Sequence, residues 1–339
     1  MKMRVLGRSG VLVSELSLGT MVFGEGPPRG TGPQDAAAII RRYLDAGGNH
    51  LDCADVYAGG RSEEIVGEAI AGHRDEVVLA TKVRFTTGDG PNDVGLSRVH
   101  IVRGVEESLR RLRTDHVDLL YVHTWDPLTD LEETLRALDD LVSAGKVRSI
   151  GVSNFKAWQV MKALGISDRF GWSRFTAAQY QHSLVVRDIE REFTDLCEAE
   201  GIGMVPWSPL GGGFLSGKYR SDHRPVDPEE GRLATQPADD EEAWDRRDTE
   251  RNWATLAEVE RIAEEAGATP SQVALAWLLS KPYVSSVIIG VRTMEQLDDN
   301  LGAAGLRLAD EDVAALDAVS SPPPGYPYRF MSLYGGRTP

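Results

Sequence analysis

The chain has little cysteine, no long apolar run and a shortage of basic residues. Only Cys53 and Cys197 occur in 339 residues, so we expect no disulfide framework and a reducing compartment. No apolar run approaches the roughly 18 residues of a membrane span, and the start MKMRVLGRSG lacks the apolar stretch of a signal peptide. The 37 basic against 52 acidic residues give a net charge of -15, which argues against nucleic acid and anionic membranes as partners. We therefore expect a cytoplasmic protein.

Two nucleotide-binding motifs and a metal motif are also missing. No G-x-G-x-x-G occurs anywhere in the chain. The stretch GGFLSGKY at 212–219 matches G-x-x-x-x-G-K but lacks the Ser or Thr that holds magnesium in a P-loop, so we reject ATP binding. His116 and His123 lie seven residues apart on one strand pattern, and no C-x-x-C occurs, so we expect no metal site.

What the chain does contain is an alternation of short apolar runs and amphipathic helical patterns, repeated eight times. Helical patterns such as 35–47 and 97–113 separate the runs. Strands alternating with helices imply parallel pairing, and eight such units are the number that closes a (β/α)8 barrel. An open doubly wound sheet is the rival, but it would usually carry a glycine-rich turn where this chain has GTMVFGEG. We predict an α/β TIM barrel whose strands lie in LSLGT (16–20), NHLD (49–52), EVVLATK (76–82), HVDLLYVH (116–123), VRSIGVS (147–153), FTAAQY (175–180), IGMVPWS (202–208) and SSVIIG (285–290).

Three segments of this single predicted domain, 1–339, fall outside the eight units. Residues 1–14 contain MRVLGRSGVLVS, which predicts a β-hairpin over the N-terminal end of the barrel. Residues 219–251 are polar and acidic and predict a long loop after the seventh strand. The tail, 321–339, is rich in Pro and Gly, and we predict no helix there.

Polar side chains stand where the predicted strands end, which is where a barrel builds its active site. Asp52 ends the second strand, and Tyr57 follows in the next loop. Lys82 ends the third strand and His123 the fourth. Taken singly, each has an ordinary structural interpretation, as a cap, a solvated charge or a packed ring. The prediction of an active site rests on their convergence at one end of the barrel. Further polar or aromatic residues stand at the ends of the next three strands: Ser153, Asn154, Gln179, Trp207 and Ser208.

In this order, the phrases DCADVY, ATK, YVH, GVSNF, PWSPL and GVRTMEQLDDN resemble the aldo-keto reductase superfamily. The pattern is most similar to a bacterial branch related to the potassium-channel β subunits, and it runs from about residue 4 to residue 300. The resemblance implies that Asp52, Tyr57, Lys82 and His123 form the catalytic tetrad. It also implies a small-molecule carbonyl substrate, an aldehyde or ketone, and NADPH/NADP+ as the hydride carrier.

The tetrad makes chemical sense apart from the resemblance. A Tyr hydroxyl has a reference pKa near 10, and a Lys ammonium about 4 Å away stabilises its phenolate by up to roughly 4 kcal/mol at a dielectric of 20. We therefore predict that Lys82 lowers the pKa of Tyr57 toward the working pH. Asp52 would hold Lys82 in place, and His123 could donate a hydrogen bond to the carbonyl.

The resemblance also implies how the cofactor is held. Trp207 would stack on the nicotinamide, and Arg292 would meet the adenosine 2′-phosphate. Several branches carry a Lys and an Arg where this chain has Gly290 and Gln296, so strict NADP preference is not implied. The backbone amides of 210–213 and the charge of Lys218 suit a pyrophosphate. The expected cofactor contacts are Gly19, Thr20, Met21, Asp52, Ser153, Asn154, Gln179, Trp207, Ser208, Pro209, Leu210, Gly211, Gly212, Gly213, Lys218, Gly290, Arg292, Gln296, Asp299 and Asn300.

The sequence does not specify which carbonyl compound is the substrate. Phe23, Trp125 and Trp158 are candidates for a wall beside Tyr57 and His123. A nucleotide-linked keto-sugar is an alternative substrate. An NADPH-binding regulatory subunit with little turnover is an alternative of another class, and the oligomeric state is not predicted.

Overall fold

The protein folds as a (β/α)8 barrel preceded by a hairpin, and the computed structural model describes residues 1–26 and 30–335. The hairpin pairs β1 (Met3–Val5) with β2 (Leu12–Ser14) in antiparallel register. Eight further strands form one parallel sheet in the order β10-β3-β4-β5-β6-β7-β8-β9. Those strands are β3 (Leu16–Gly19), β4 (His50–Asp52), β5 (Val78–Val83), β6 (Val117–Val122), β7 (Val147–Ser153), β8 (Phe175–Gln179), β9 (Gly203–Met204) and β10 (Val287–Gly290).

Seven of the eight predicted runs contain a whole barrel strand, and β5 extends one residue past its run to Val83, which confirms the predicted architecture. The first and last strands pair directly, from Val287 beside Leu16 to Gly290 beside Gly19. The remaining gap lies between β9 and β10. It closes through the amide of Ser285, which donates to Met204 O at 2.8 Å, and that of Ile288, which donates to Pro206 O at 2.9 Å.

Helices surround the sheet because their apolar stripes need cover and the outer faces of the strands supply it. Side-chain caps fix several of their starts. Ser97 Oγ accepts the amide of His100, and Asp130 Oδ1 accepts the amide of Glu132. The helices are α1 (Pro33–Asp45), α2 (Arg61–Ala69), α3 (Arg98–Leu112), α4 (Leu131–Ser143), α5 (Ala157–Phe170), α6 (Phe193–Glu200), α7 (Trp244–Arg247), α8 (Glu250–Ala266), α9 (Pro270–Leu279), α10 (Met294–Leu301), α11 (Asp310–Ser320) and α12 (Tyr328–Tyr334).

Part of the barrel interior at its N-terminal end is apolar and is covered by the hairpin, while His50 and Ser286 form a buried hydrogen bond in another part. Leu6 and Val13 of the hairpin pack in one buried cluster with interior side chains such as Leu119 and Tyr121. The Tyr121 ring fits because residue 151 is glycine, where an added Cβ would come within 2.5 Å of that ring. The hairpin therefore covers the end opposite the predicted site, as its sequence predicted.

The structure agrees with the prediction of a long loop after the seventh barrel strand but not with the prediction for the tail. Residues 219–249 form a largely irregular loop with short 3-10 turns at 228–230 and 232–234 and the single-turn α7. The prediction of a tail without a helix is wrong, because α12 occupies 328–334. Proline and glycine are concentrated in 321–327 and are absent from YRFMSLY itself, so the average composition of the tail concealed a helix-compatible stretch. Residues 336–339 lie outside the described part of the chain.

Candidate active site

The four tetrad candidates meet at the C-terminal ends of neighbouring strands. Asp52 is the last residue of β4, Lys82 lies one residue before the end of β5, and His123 follows β6 directly. Parallel pairing puts these ends on one side, with Asp52 beside Ala80 and Lys82 beside Tyr121. Tyr57 comes from the turn after β4, where residues 58–60 all adopt positive φ and reverse the chain before α2.

Lys82 is the centre of the cluster. Its side chain is completely buried, and its ammonium donates to Asp52 Oδ2 at 2.5 Å, Cys53 O at 2.8 Å and the Tyr57 hydroxyl at 3.0 Å. Burial alone would lower the pKa of Lys82, but the charge of Asp52 and the contact with Tyr57 outweigh it, and the net pKa is raised. Lys82 is therefore a fixed cation at neutral pH.

The direction of these hydrogen bonds determines where the Tyr57 proton points. An ammonium has three donors, and all three of Lys82 are used. Because Lys82 donates to the Tyr57 oxygen, the hydroxyl hydrogen of Tyr57 must point elsewhere. Tyr57 lines the cavity described below, so that hydrogen is available to a bound molecule.

The predicted lowering of the Tyr57 pKa is not what the structure gives. Burial raises the pKa of Tyr57, and the charge of Lys82 opposes this shift without overcoming it. The prediction counted the nearby cation but could not count the loss of water around the phenol. Tyr57 therefore holds its proton at neutral pH and is a donor rather than a base there.

His123 is neutral and its tautomer is constrained. Burial, followed by the charges of Lys82 and Arg84, holds its pKa well below the usual range. Its Nδ1 atom is buried with no hydrogen-bond partner among the described residues. An unpaired acceptor costs less than an unpaired N–H, so the hydrogen belongs on Nε2. The ring packs edge-on against Phe85, with centroids 4.6 Å apart.

A cavity of about 1320 Å³ opens beside these groups. Lys82 lies behind its wall, while the other three tetrad candidates line it. Of the expected cofactor contacts, Gly211 does not line it. Those that do are Gly19, Thr20, Met21, Asp52, Ser153, Asn154, Gln179, Trp207, Ser208, Pro209, Leu210, Gly212, Gly213, Lys218, Gly290, Arg292, Gln296, Asp299 and Asn300.

Three aromatic residues that sequence reasoning placed at the substrate wall lie elsewhere. Phe23 is fully buried in the core between strands and helices. Trp125 packs edge-on against Phe155, and Trp158 beside it is 58% exposed. None of the three lines the cavity. Phe85 lines it instead, and its position three residues after Lys82, just beyond the strand end, is the signal that could have identified it.

Hydrogen bonds from Ser153 and Asn154 link the ends of β6, β7 and β8 on the cavity wall. Ser153 Oγ donates to Gln179 O at 2.7 Å. Asn154 Nδ2 donates to Ser153 Oγ at 2.9 Å and to His123 O at 3.0 Å. Asn154 adopts φ of 54°, a left-handed conformation that asparagine tolerates. This network fixes the strand ends against one another.

The long loop 219–249 brings further charges to the cavity, which sequence reasoning missed. Arg232 and Glu242 form an ion pair, and the Glu242 carboxylate accepts the Ser208 hydroxyl. Both charged residues line the cavity, as do Lys218 and Arg292. Burial, followed by the charge of Arg292, lowers the pKa of Lys218. Nothing in the polar loop sequence distinguishes Arg232 from its neighbouring arginines.

The glycine turn at 211–213 uses its own amides. The amides of Gly211 and Gly213 donate to Ser208 O and Leu210 O, and that of Gly212 donates to Ser208 Oγ at 3.2 Å. All three glycines have positive φ. The amides of residues 211–213, predicted to bind a pyrophosphate, donate within the turn instead, so the side-chain cations are the stronger anion-binding groups at this site.

Within 1–26 and 30–335, no helix has the length and apolar character needed to cross a bilayer. The same ranges contain no group of three or more His, Cys, Asp or Glu side chains arranged to hold a metal ion.

Comparison with known proteins agrees with this geometry. The family model described as "Aldo/keto reductase family" matches residues 15–321. A norsolorinic acid reductase of Emericella nidulans is 37% identical, with 95% of this chain and 82% of that protein covered. A probable voltage-gated potassium channel subunit beta of Arabidopsis thaliana is 38% identical, with 89% and 91% covered. A versiconal hemiacetal acetate reductase of Aspergillus parasiticus is 33% identical, with 92% and 95% covered. The chain belongs to the aldo/keto reductase family, a family of oxidoreductases that act on carbonyl compounds.

Proposed function

We propose that this protein is an NADPH-dependent reductase of an aldehyde or ketone, with Tyr57 as the proton donor. The observation that carries the proposal is the 3.0 Å contact between the buried Lys82 ammonium and the Tyr57 hydroxyl at the wall of a large cavity. A phenol held against a fixed cation is a natural donor to an oxygen that gains negative charge.

The size and the charged lining of the cavity support a dinucleotide as its ligand. Its volume of about 1320 Å³ exceeds that of most pockets for small molecules, which run from roughly 300 to 1,000 Å³. Lys218 and Arg292 lie close enough for one charge to affect the pKa of the other. Like charges held together on a cavity wall favour a polyanion such as a nucleotide phosphate. Trp207 offers an aromatic face to a flat ring, and Gln179 and Asn154 offer amides to a carboxamide.

Each residue of the tetrad then has one task. NADPH, when bound, supplies the hydride that adds to the carbonyl carbon. Tyr57 gives its proton to the carbonyl oxygen, and the Lys82 ammonium stabilises the phenolate left behind. Asp52 keeps that ammonium in place, and His123 donates from Nε2 to the same carbonyl oxygen. Tyr57 recovers a proton from solvent after the alcohol leaves.

The raised pKa of Tyr57 gives the two directions of reaction different pH dependence. Reduction needs the protonated phenol, which is the populated form at neutral pH. Oxidation of an alcohol needs the phenolate, whose fraction grows as pH rises toward that pKa. We therefore expect alcohol oxidation to speed up with rising pH through the alkaline range.

The test is a carbonyl panel that includes 4-nitrobenzaldehyde, several ketones and a nucleotide-linked keto-sugar, followed by NADPH absorbance. Wild type should turn over at least one of them. Tyr57→Phe should lose turnover while binding NADPH as tightly as wild type, and Tyr326→Phe, at an exposed tyrosine outside the cavity, should behave as wild type. Wild-type turnover by Tyr57→Phe would refute the role of Tyr57.

A regulatory role is the second candidate, and the similarity to potassium channel β subunits favours it. The intact Asp52–Lys82–Tyr57 contacts and the relatives named as reductases support turnover instead. Tight NADPH binding with negligible turnover of every carbonyl in the panel would decide for the regulatory role.

A further inference from the structure

We propose that Gln179 is a positioning residue for the proton donor: it holds the Asp52 carboxylate so that Asp52 and Lys82 together set the acidity of Tyr57. This inference rests on the proposed function for its catalytic consequence. It begins from one contact, the hydrogen bond of 2.7 Å from Gln179 Nε2 to Asp52 Oδ1, which is buried. With the bonds of Lys82, four side chains from three strands and one turn form a continuous chain, Gln179–Asp52–Lys82–Tyr57.

The chemistry of the carboxylate fixes the orientation of the Gln179 amide. An ionised carboxylate only accepts hydrogen bonds, so the nitrogen of Gln179, and not its oxygen, must face Asp52. The other carboxylate oxygen accepts from Lys82. The backbone of Gln179 is held as well, because its carbonyl accepts the Ser153 hydroxyl at 2.7 Å. Gln179 is therefore fixed from both sides and can fix Asp52 in turn.

The Lys82 ammonium and Gln179 Nε2 both donate to the Asp52 carboxylate, so each interacts with part of its negative charge. Without Gln179 Nε2, Oδ1 would be buried with no partner, and the whole carboxylate charge would act on Lys82 and, beyond it, on Tyr57. Asp52 already raises the pKa of Tyr57, while Lys82 lowers it. Removing the amide therefore raises the pKa of the phenol further, which makes it a weaker acid and lowers the fraction of phenolate at any given pH.

Few other titratable groups around Tyr57 would contribute to the same change in the alkaline pH dependence. Burial raises the pKa values of Cys53 and of Tyr121, whose ring lies beneath the site, and both stay neutral. Burial holds the pKa of His123 well below its usual range and lowers that of His50, also beside Asp52, to about 4. Burial raises the pKa of Asp55 to about 7, apart from the alkaline range in which a phenol titrates, and Arg84 adds a positive charge near His123.

The experiment compares Gln179→Met with wild type at saturating NADP+ across the alkaline range of alcohol oxidation. We expect the pH limb assigned to Tyr57 to move up by about one unit, equivalent to about a ten-fold lower rate on the rising part. The KM for the alcohol should stay within about two-fold, because substrate contacts are untouched. Gln159→Met is the matched control: this glutamine of α5 is also buried and hydrogen-bonded, but lies outside the cavity.

A second measurement needs no turnover. Unfolding by urea is compared for wild type, Gln179→Met, Asp52→Asn and the double variant. If Gln179 holds the charge of Asp52, Gln179→Met should shift the urea midpoint downward in the wild-type background and much less beside Asp52→Asn. Gln179→Asn, one methylene too short to reach, replaces the Met variant in both experiments if the latter does not fold.

The outcomes separate this inference from the proposed function. An unmoved alkaline limb, or equal urea shifts in the two backgrounds, overturns the positioning role. If either result comes with a lower NADPH affinity in fluorescence titrations, Gln179 is a cofactor contact only. If wild type reduces no carbonyl, the proposed function fails, and the unfolding experiment still decides whether Gln179 and Asp52 are coupled.

Discussion

The sharpest energetic prediction concerns the buried ion pair between Lys82 and Asp52. Lys82 is fully buried and the Asp52 side chain only 3% exposed, with 2.5 Å between ammonium and carboxylate. Removing one partner of such a pair leaves the other charge without compensation, which costs roughly 3–5 kcal/mol. Lys82→Met and Asp52→Asn should each lower the free energy of unfolding by about that amount. The double variant, with no buried charge left, should lose less than the sum by at least about 2 kcal/mol.

The assay is urea unfolding of the four proteins at pH 7, monitored by tryptophan fluorescence and by circular dichroism to check that both report one transition. Lys82→Met and the double variant, even with restored stability, should lack carbonyl reduction because the cation beside Tyr57 is absent. Asp52→Asn should lose activity because nothing then holds that cation in place. Strictly additive losses would show that the two charges do not interact through the contact seen here. A double variant with wild-type activity would remove Lys82 from the mechanism.

Three further predictions test the surroundings of the site. Burial raises the pKa of Asp55 to about 7, so the folded state binds more protons than the unfolded chain between about pH 4 and 7, and stability falls as pH rises through that window. Asp55→Asn should therefore add little stability at pH 4 but up to about 4 kcal/mol at pH 8 by urea unfolding, and a gain independent of pH would contradict this. Gly151→Ala should lower the free energy of unfolding by about 1–3 kcal/mol, because the new Cβ meets the Tyr121 ring. Its control is Gly165→Ala, at a helical glycine with open space around it, which should stabilise the protein. Equal effects of the two substitutions would refute the packing argument. Arg292→Ala should lower the ratio of NADPH to NADH affinity by about ten-fold in fluorescence titrations, and an unchanged ratio would refute its assignment to the 2′-phosphate.

The barrel and the position of the tetrad could be predicted because they depend on chain direction. Eight apolar runs separated by helices allow few topologies, and parallel strands put Asp52, Lys82 and the residue after Val122 at one end. The contact of Lys82 with both Asp52 and Tyr57 follows from that placement. Residues at the C-terminal ends of parallel strands lie near one another, so their proximity can be predicted from the sequence pattern alone.

Burial and long-range contacts could not be predicted in the same way. The sign of the Tyr57 pKa shift depends on how much water the surrounding loops exclude, and spacing contains no information on that. Phe23 and Trp158 follow strands or begin helices, as wall residues do, yet one points into the core and the other into solvent. Arg232 reaches the cavity because the loop 219–249 folds back against the turn after β9, where Glu242 contacts both Ser208 and Arg232.

The central claim is that the Tyr57 hydroxyl, held against Lys82, delivers the proton of a carbonyl reduction. The most direct test is a single turnover, in which protein already loaded with NADPH is mixed rapidly with an aldehyde that wild type reduces. We predict that Tyr57→Phe binds NADPH as wild type does but oxidises it about 100- to 10,000-fold more slowly. Oxidation of the bound NADPH at the wild-type rate in that variant would contradict the account.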